Sequence, residues 1–237
     1  KLCPEAIESN CIYTISCIDG VNGDKLSPKW LKDRIEKSGI KSINLLVDLT
    51  NYILLEQGQP LHAFDREKLS NLIGKEASPE DFSVRKAKDN ESLICLDGKE
   101  YELNENITVI TCCDKPIAIA GVIGGLETSV TNTTSSIYLE GAVFNPVTIR
   151  KSSKAVGIRT ESSSRYEKGI SSKNTLNAVT RAINLLEEYF SINLPIINSS
   201  KLTNDEDIFI KLRRNRIHKI LGPIIINDQF EKRNLSD

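Results

Sequence analysis

The stretch "SIYLEGAVF", residues 136–144, decides how the rest of the chain is read. It is apolar enough for a central strand, with one exception, Glu140. A carboxylate in such a strand either points to solvent or faces a cavity, where it must find a donor. Before it lie four further strand-like runs, "DFSVRKA" (81–87), "SLICLDGKEYEL" (92–103), "ITVITC" (107–112) and "PIAIAGVIGG" (116–125). The second carries Asp97-Gly98, a dipeptide that suits a tight hairpin turn. After it, "NPVTIRKSSKAVG" reads as a short helix ended by Gly157. "SKNTLNAVTRAINLLEEYF" (172–190) is a long amphipathic helix with Leu176, Val179, Ala182, Ile183, Leu186 and Phe190 at helical spacing.

Further upstream, "CIYTISCI" (11–18) alternates β-branched and other residues and predicts a strand. In "SPKWLKDRIEKSG" (27–39), Ser27 is the expected N-cap, Pro28 the first helical residue and Gly39 the stop. "NLLVDLTNYILLEQG" predicts a second, largely buried helix from near Asn44 to Gly58, with Asp48 and Asn51 as polar exceptions. The segment "EQGQPLHAFD" (56–65) is broken by Gly58 and Pro60, yet Leu61, Ala63 and Phe64 could be buried around His62. The expectation is an α+β fold, a mixed sheet with packed helices, the sheet lying mainly between residues 80 and 143. "SINLPIINSSKLTNDED" (191–207) is polar, contains Pro195 and reads as a connector. Residues 208–237 begin a second unit, with a short strand at 208–212 and a helix carrying Ile217, Ile220 and Leu221 on one side.

Composition narrows the classes. The chain has 237 residues, 39% hydrophobic and 27% charged, with a formal net charge of −1, which argues against wholesale coating of nucleic acid. No run of eighteen apolar residues exists, and "KLCPEAIESN" has neither a secretory nor a transit-peptide pattern. The chain contains no methionine, which suggests trimming or a piece of something longer. Its six cysteines, Cys3, Cys11, Cys17, Cys95, Cys112 and Cys113, form no C-x-x-C pair, so reduced thiols are expected and no metal site.

Several segments could carry chemistry. "AIAGVIGGLET" matches neither phosphate-binding glycine pattern, so Gly121, Gly124 and Gly125 allow close approach of backbone or of a ligand. "GIRTESSSRYEKG" (157–169) gathers Arg159, Thr160, Glu161, Ser162, Ser163, Ser164 and Arg165 into a polar turn, either a solvated loop or a pocket wall. His62 is either a satisfied core histidine or part of a pocket. The basic run Lys211, Arg213, Arg214, Arg216, His218 and Lys219 reads as the wet face of a small domain rather than a phosphate site. The residues alone do not name a reaction.

Three segments together, 27–65, 118–130 and 137–169, resemble the β chains of bacterial-type phenylalanyl-tRNA synthetases, in order and over roughly residues 10 to 190. The resemblance implies a lead-in (1–10), an editing-type α+β domain (11–190), a connector (191–207) and the truncated start of a winged-helix-like domain (208–237). It implies part of an (αβ)2 enzyme that charges tRNA(Phe) with phenylalanine, with the α subunit, tRNA(Phe), phenylalanine and tyrosine as partners. ATP and Mg2+ would serve the whole enzyme, bound outside this chain, with no metal ligand here and no membrane or DNA partner. This region would hydrolyse mischarged Tyr-tRNA(Phe), in a plastid stroma or a bacterial cytoplasm. The resemblance assigns His62 and Thr160 to catalysis and Gly124, Glu140 and Ser162 to substrate binding, with Glu140 accepting the phenol hydrogen. Ser162 stands where many relatives have alanine, Ser164 where many have histidine, and "INLLVD" lacks an asparagine common in the family. A non-catalytic scaffold with a decayed pocket is therefore the alternative.

Overall fold

The computed structural model describes residues 11–192, 195–200, 210–222, 224–226 and 229–231. The lead-in 1–10, with Cys3, and part of the stretch read as a connector lie outside the described residues. The chain divides into two units, Lys1–Thr203 and Asn204–Asp237.

Strand β9 (Ser136–Val143), which contains Glu140, is central as its apolar character suggests. In the first sheet it lies between β1 (Ile12–Asp19) and β2 (Leu61–Asp65), and β10 (Ile197–Ser199) edges β1, giving the order β10-β1-β9-β2. Strand β2 is a departure from the sequence reading. Gly58 takes a left-handed conformation that closes the preceding helix, and regular pairing with β9 resumes at Leu61, just after Pro60. Strand β10 is another departure, since the polar 191–207 stretch holds an edge strand. An edge strand needs a partner on one side only, which polar sequence can supply.

The second sheet has the order β3-β6-β7-β8, from Phe82–Lys86, Thr108–Cys112, Lys115–Ile119 and Ile123–Gly124. Between β3 and β6 sits the hairpin β4 (Ser92–Ile94) and β5 (Glu100–Glu102), turned at Gly98. In place of one mixed sheet there are thus two four-stranded sheets, and the strand pairings among the described residues are antiparallel. The α+β class stands. The two sheets exist because β9 is apolar on both faces and needs cover on each.

Period-two alternation sorts those faces. Tyr13, Ile15, Phe64 and Tyr138 pack with Phe82, Val84 and Ile110 of the second sheet in one core. Ile18, Ala63, Ile137 and Leu139 face the other way, against three helices. These are α1 (Lys29–Lys37), α2 (Leu45–Gln57) and α6 (Ser172–Tyr189). From α6, Val179, Ala182, Ile183 and Leu186 are buried as their spacing predicts, while Leu176 is only half-buried. Each fully buried aliphatic side chain contributes about 1.5–3 kcal/mol.

Helix α1 lacks the expected Ser27 cap: Pro28 holds the N-cap position, and the Ser27 hydroxyl donates instead to Asp48 at 2.6 Å. Asp48 is fully buried and also accepts from Ser42 Oγ (2.5 Å) and Ile43 N (2.9 Å). A buried carboxylate needs donors more than an exposed helix end does. Helix α3 (Arg66–Ile73) was missing from the sequence reading, though Asp65 caps it by accepting from Lys68 N at 3.0 Å and Gly74 ends it. Helix α4 (Pro146–Val156) stops at Gly157 as expected, and Asn145 caps its start. The polar turn contains helix α5 (Glu161–Tyr166).

In the second unit, helix α7 (Arg214–Leu221) is followed by a hairpin of β11 (Ile224–Ile226) and β12 (Gln229–Glu231). Residues 210–212 are not a strand; 208 and 209 lie outside the described residues. On α7, Ile217 is half-buried, whereas Ile220 and Leu221 are exposed.

Candidate functional site

Register across the first sheet assembles the site. Glu140 on β9 has Ile15 of β1 and His62 of β2 as Cα partners, so the three side chains stand in one row on one face. That face looks toward the second sheet, and a cavity of about 70 Å³ lies there. Its wall includes His62, Ile110, Gly124, Glu140, Ser162 and Tyr166. A volume of this size holds several waters. Beside it opens a groove of about 540 Å³, which shares His62, Gly124 and Ser162 and adds Thr160, Thr50 and Leu96.

Glu140 faces inward, only 5% exposed, so the solvent-facing reading is set aside. Among the described residues no lysine or arginine lines the cavity. Burial alone pushes its carboxyl up to about 8, so at neutral pH the group carries its proton. A protonated carboxyl is both donor and acceptor, whereas a carboxylate only accepts.

His62 keeps some exposure as a residue, but its Nε2 is sealed and has no hydrogen-bond partner among the described residues. Burial pulls the imidazole down to about 4, so it is neutral at physiological pH. The ring stands edge-on to Phe64, with centroids 4.5 Å apart. Gly124 packs on its other side: a Cβ there would lie 2.6 Å from His62 Cε1 and 2.8 Å from Nε2. The glycine therefore makes room for an imidazole. Its neighbour Gly125 has a different reason, since a Cβ there would meet the carbonyl oxygen of Ile117 at 2.5 Å.

Thr160 and Ser162 arrive through the cap of α5. Thr160 Oγ1 accepts from Ser163 N at 3.1 Å, and Thr160 N donates to Ser163 Oγ at 2.9 Å, a reciprocal capping box. The same Oγ1 donates to Val122 O at 2.9 Å, tying α5 to the glycine-rich turn before β8. Its hydrogen is thereby committed, and one lone pair is left. Ser162 lines both cavity and groove, at their junction. Of the five residues singled out from sequence, His62, Gly124, Glu140 and Ser162 share the cavity, and Thr160 lines only the groove.

Sequence reasoning missed Tyr166, a cavity residue only 3% exposed, and Thr50 and Asn51 in the groove. Tyr166 follows Ser162 by four positions, a spacing that would have paired them had α5 been recognised as a helix. Among the described residues no group of histidines, cysteines and carboxylates could hold a metal ion, and Cys17, Cys95, Cys112 and Cys113 form no disulfide. No helix among them is long and apolar enough to cross a membrane.

Comparison with known proteins follows the same stretch. The chain is 91% identical over 237 residues to a phenylalanine–tRNA ligase beta subunit of Prochlorococcus marinus (strain MIT 9312), covering 100% of this chain and 29% of that protein. It is 72% identical over 244 residues to the protein of that name from Prochlorococcus marinus subsp. pastoris, covering 100% and 30%. The chain thus spans about three-tenths of the length of these curated relatives. A crystal structure of an N-terminal fragment of the phenylalanyl-tRNA synthetase beta-subunit from Pyrococcus horikoshii aligns with a TM-score of 0.47 at 13% identity, over 91% of this chain and 57% of that one. The B3/4 domain profile matches residues 9–191, which contain the cavity, the groove and both sheets except the edge strand β10. The chain belongs to the B3/4 domain family.

Proposed function

We propose that this chain is part of a phenylalanine–tRNA ligase β subunit and that its cavity hydrolyses tyrosine wrongly esterified to tRNA(Phe). The observation that carries this is Glu140, a buried carboxyl with no neighbouring cation, set in register with an unpartnered His62 Nε2 beside an open groove. An apolar synthetic pocket rejects an added hydroxyl only modestly, by about a hundred-fold. A second pocket with a buried polar group inverts the preference, because phenylalanine would leave that group unpaired.

In this reading the tyrosyl side chain enters the cavity and its ester lies at the junction with the groove. The Glu140 carboxyl accepts the phenol hydrogen through its carbonyl oxygen. Neutral His62 orients a water through Nε2, and the free lone pair of Thr160 accepts a hydrogen from that water. The water oxygen bonds to the ester carbon, the ester C–O bond breaks, and the proton passes to the departing ribose oxygen. Gly124 shapes the wall against His62, and Ser162 narrows the entrance.

The whole enzyme would be an (αβ)2 assembly charging tRNA(Phe), using ATP and Mg2+ at sites outside this chain. The cyanobacterial relatives favour a bacterial cytoplasm over a plastid stroma. Residues 208–237 would open a winged-helix-like domain. The test is hydrolysis of Tyr-tRNA(Phe) by wild type, Glu140→Ala and His62→Ala. Each variant should lose at least ten-fold, roughly one lost hydrogen bond to a buried group. Wild-type rates in the Glu140 variant end the role given to Glu140, and a wild type that leaves Tyr-tRNA(Phe) intact ends the hydrolytic assignment in favour of the scaffold reading.

A further inference from the structure

A second phenol-binding group is present in the cavity. Tyr166 lines it at 3% exposure, at the C-terminal end of α5. Ser162, at the junction with the groove, and Tyr166 lie four residues apart on one helix face, a separation of about one turn or 5.4 Å. A ligand that enters past Ser162 therefore directs its far end at Tyr166. The ring is held there: it stands edge-on to Phe144 at 5.0 Å, and a Cβ on Gly121 would come within 2.9 Å of Tyr166 Cδ2. Gly121 itself has φ +66, which favours glycine.

The hydroxyl is held less firmly than the ring. It donates to Pro60 O at 3.4 Å, the outer limit of a hydrogen bond, and also meets the side chain of Gln59. Burial, and after it the charge that Glu140 can carry, push this phenol well above its ordinary value. Among the described residues the wall carries no lysine or arginine, and its polar side-chain groups are Tyr166, Glu140, His62 and Ser162. His62 and Ser162 also border the groove, which leaves Glu140 and Tyr166 for the closed end.

We infer that Tyr166 is a specificity-determining residue: its hydroxyl and the Glu140 carboxyl together bracket the para-hydroxyl of a bound tyrosyl group. The ligand phenol donates to Glu140, and Tyr166 leaves its long bond to Pro60 and donates to the ligand oxygen. A phenylalanyl group gives neither contact. This rests on the hydrolytic reading above and deepens it.

The experiment uses the assembled enzyme carrying the full chain, with tRNA(Phe) charged with tyrosine or with phenylalanine as substrates. Tyr166→Phe keeps the ring and its packing, so the fold is retained. The expected result is a fall of about ten-fold in the ratio of kcat/KM for tyrosyl over phenylalanyl ester, carried by the tyrosyl rate. A purely structural role would lower both rates together. An unchanged ratio in Tyr166→Phe, when wild type discriminates and Glu140→Ala does not, overturns the role of Tyr166 alone. A wild-type enzyme that leaves tyrosyl-tRNA intact overturns the hydrolytic reading and this inference with it.

Discussion

Replacing Glu140 with glutamine should change how stability depends on pH, and the size follows from the cavity. The carboxyl moves from an ordinary 4.5 to about 8 on folding, because burial penalises its charged form. The native state therefore binds this proton more tightly than the unfolded chain does. Stability linked to it is complete below pH 4.5 and is lost progressively as pH rises to about 8. A shift of three and a half units at 1.36 kcal/mol per unit amounts to about 5 kcal/mol, a large share of the 5–15 kcal/mol that holds an ordinary domain together. His62 works in the opposite direction. Its value falls from 6.5 to about 4, so its contribution is gained as pH rises through that window. In wild type the two offset each other between about pH 4.5 and 6.5, and the Glu140 loss stands clear from 6.5 to 8. Glutamine keeps the shape and cannot ionise. The assay is urea unfolding of wild type and Glu140→Gln at intervals from pH 4.5 to 8.5. The expected outcome is a difference growing by about 5 kcal/mol in favour of the variant across that range. A difference that stays flat with pH refutes an inward-facing, uncompensated carboxyl, and with it the polar end of the cavity.

Two other perturbations test the framework around the site. Gly124→Ala places a methyl 2.6 Å from His62 Cε1, so the imidazole must move; hydrolysis of Tyr-tRNA(Phe) should fall at least ten-fold while stability drops by about 1–3 kcal/mol, read by thermal melting. Normal hydrolysis in that variant dismisses the fitted contact. Asp48→Ala removes the acceptor shared by Ser27, Ser42 and Ile43 N, leaves those donors unmatched and should cost about 3–5 kcal/mol in urea unfolding, with the loops before α1 and α2 losing amide protection first. A cost below about 1 kcal/mol would show that water replaces the carboxylate without loss.

Local chemistry made much of the fold legible. Asp97-Gly98 turns a hairpin, Asn145, Pro146 and Gly157 bound a helix, and Asn44 and Gly58 bound another, because each signal acts within a few residues of itself. Strand β2 and helix α3 were less legible. Leu61–Asp65 becomes a strand because β9, more than seventy residues later, offers the partner, and Asp65 then caps the helix that follows. Ser27 carried a local cap signal that Asp48 overrode through a tertiary contact.

The candidate site divides along the same line. The residue types were set by sequence: one carboxylate in an apolar strand, one histidine between a proline and a phenylalanine, glycines where bulk is refused, and hydroxyls at a helix start. Which of them meet was decided by pairing His62 with Glu140 across β2 and β9, and by the second sheet closing over that row. A slip of one residue by β2 in that register would turn His62 toward the helices and leave Glu140 without it. Tyr166 reached the cavity only because Thr160 caps α5 and binds Val122 O, a contact that joins positions 38 residues apart. Short-range rules choose the conformation of each segment; burial of both faces of β9 chooses the neighbours, and the cavity exists only between neighbours.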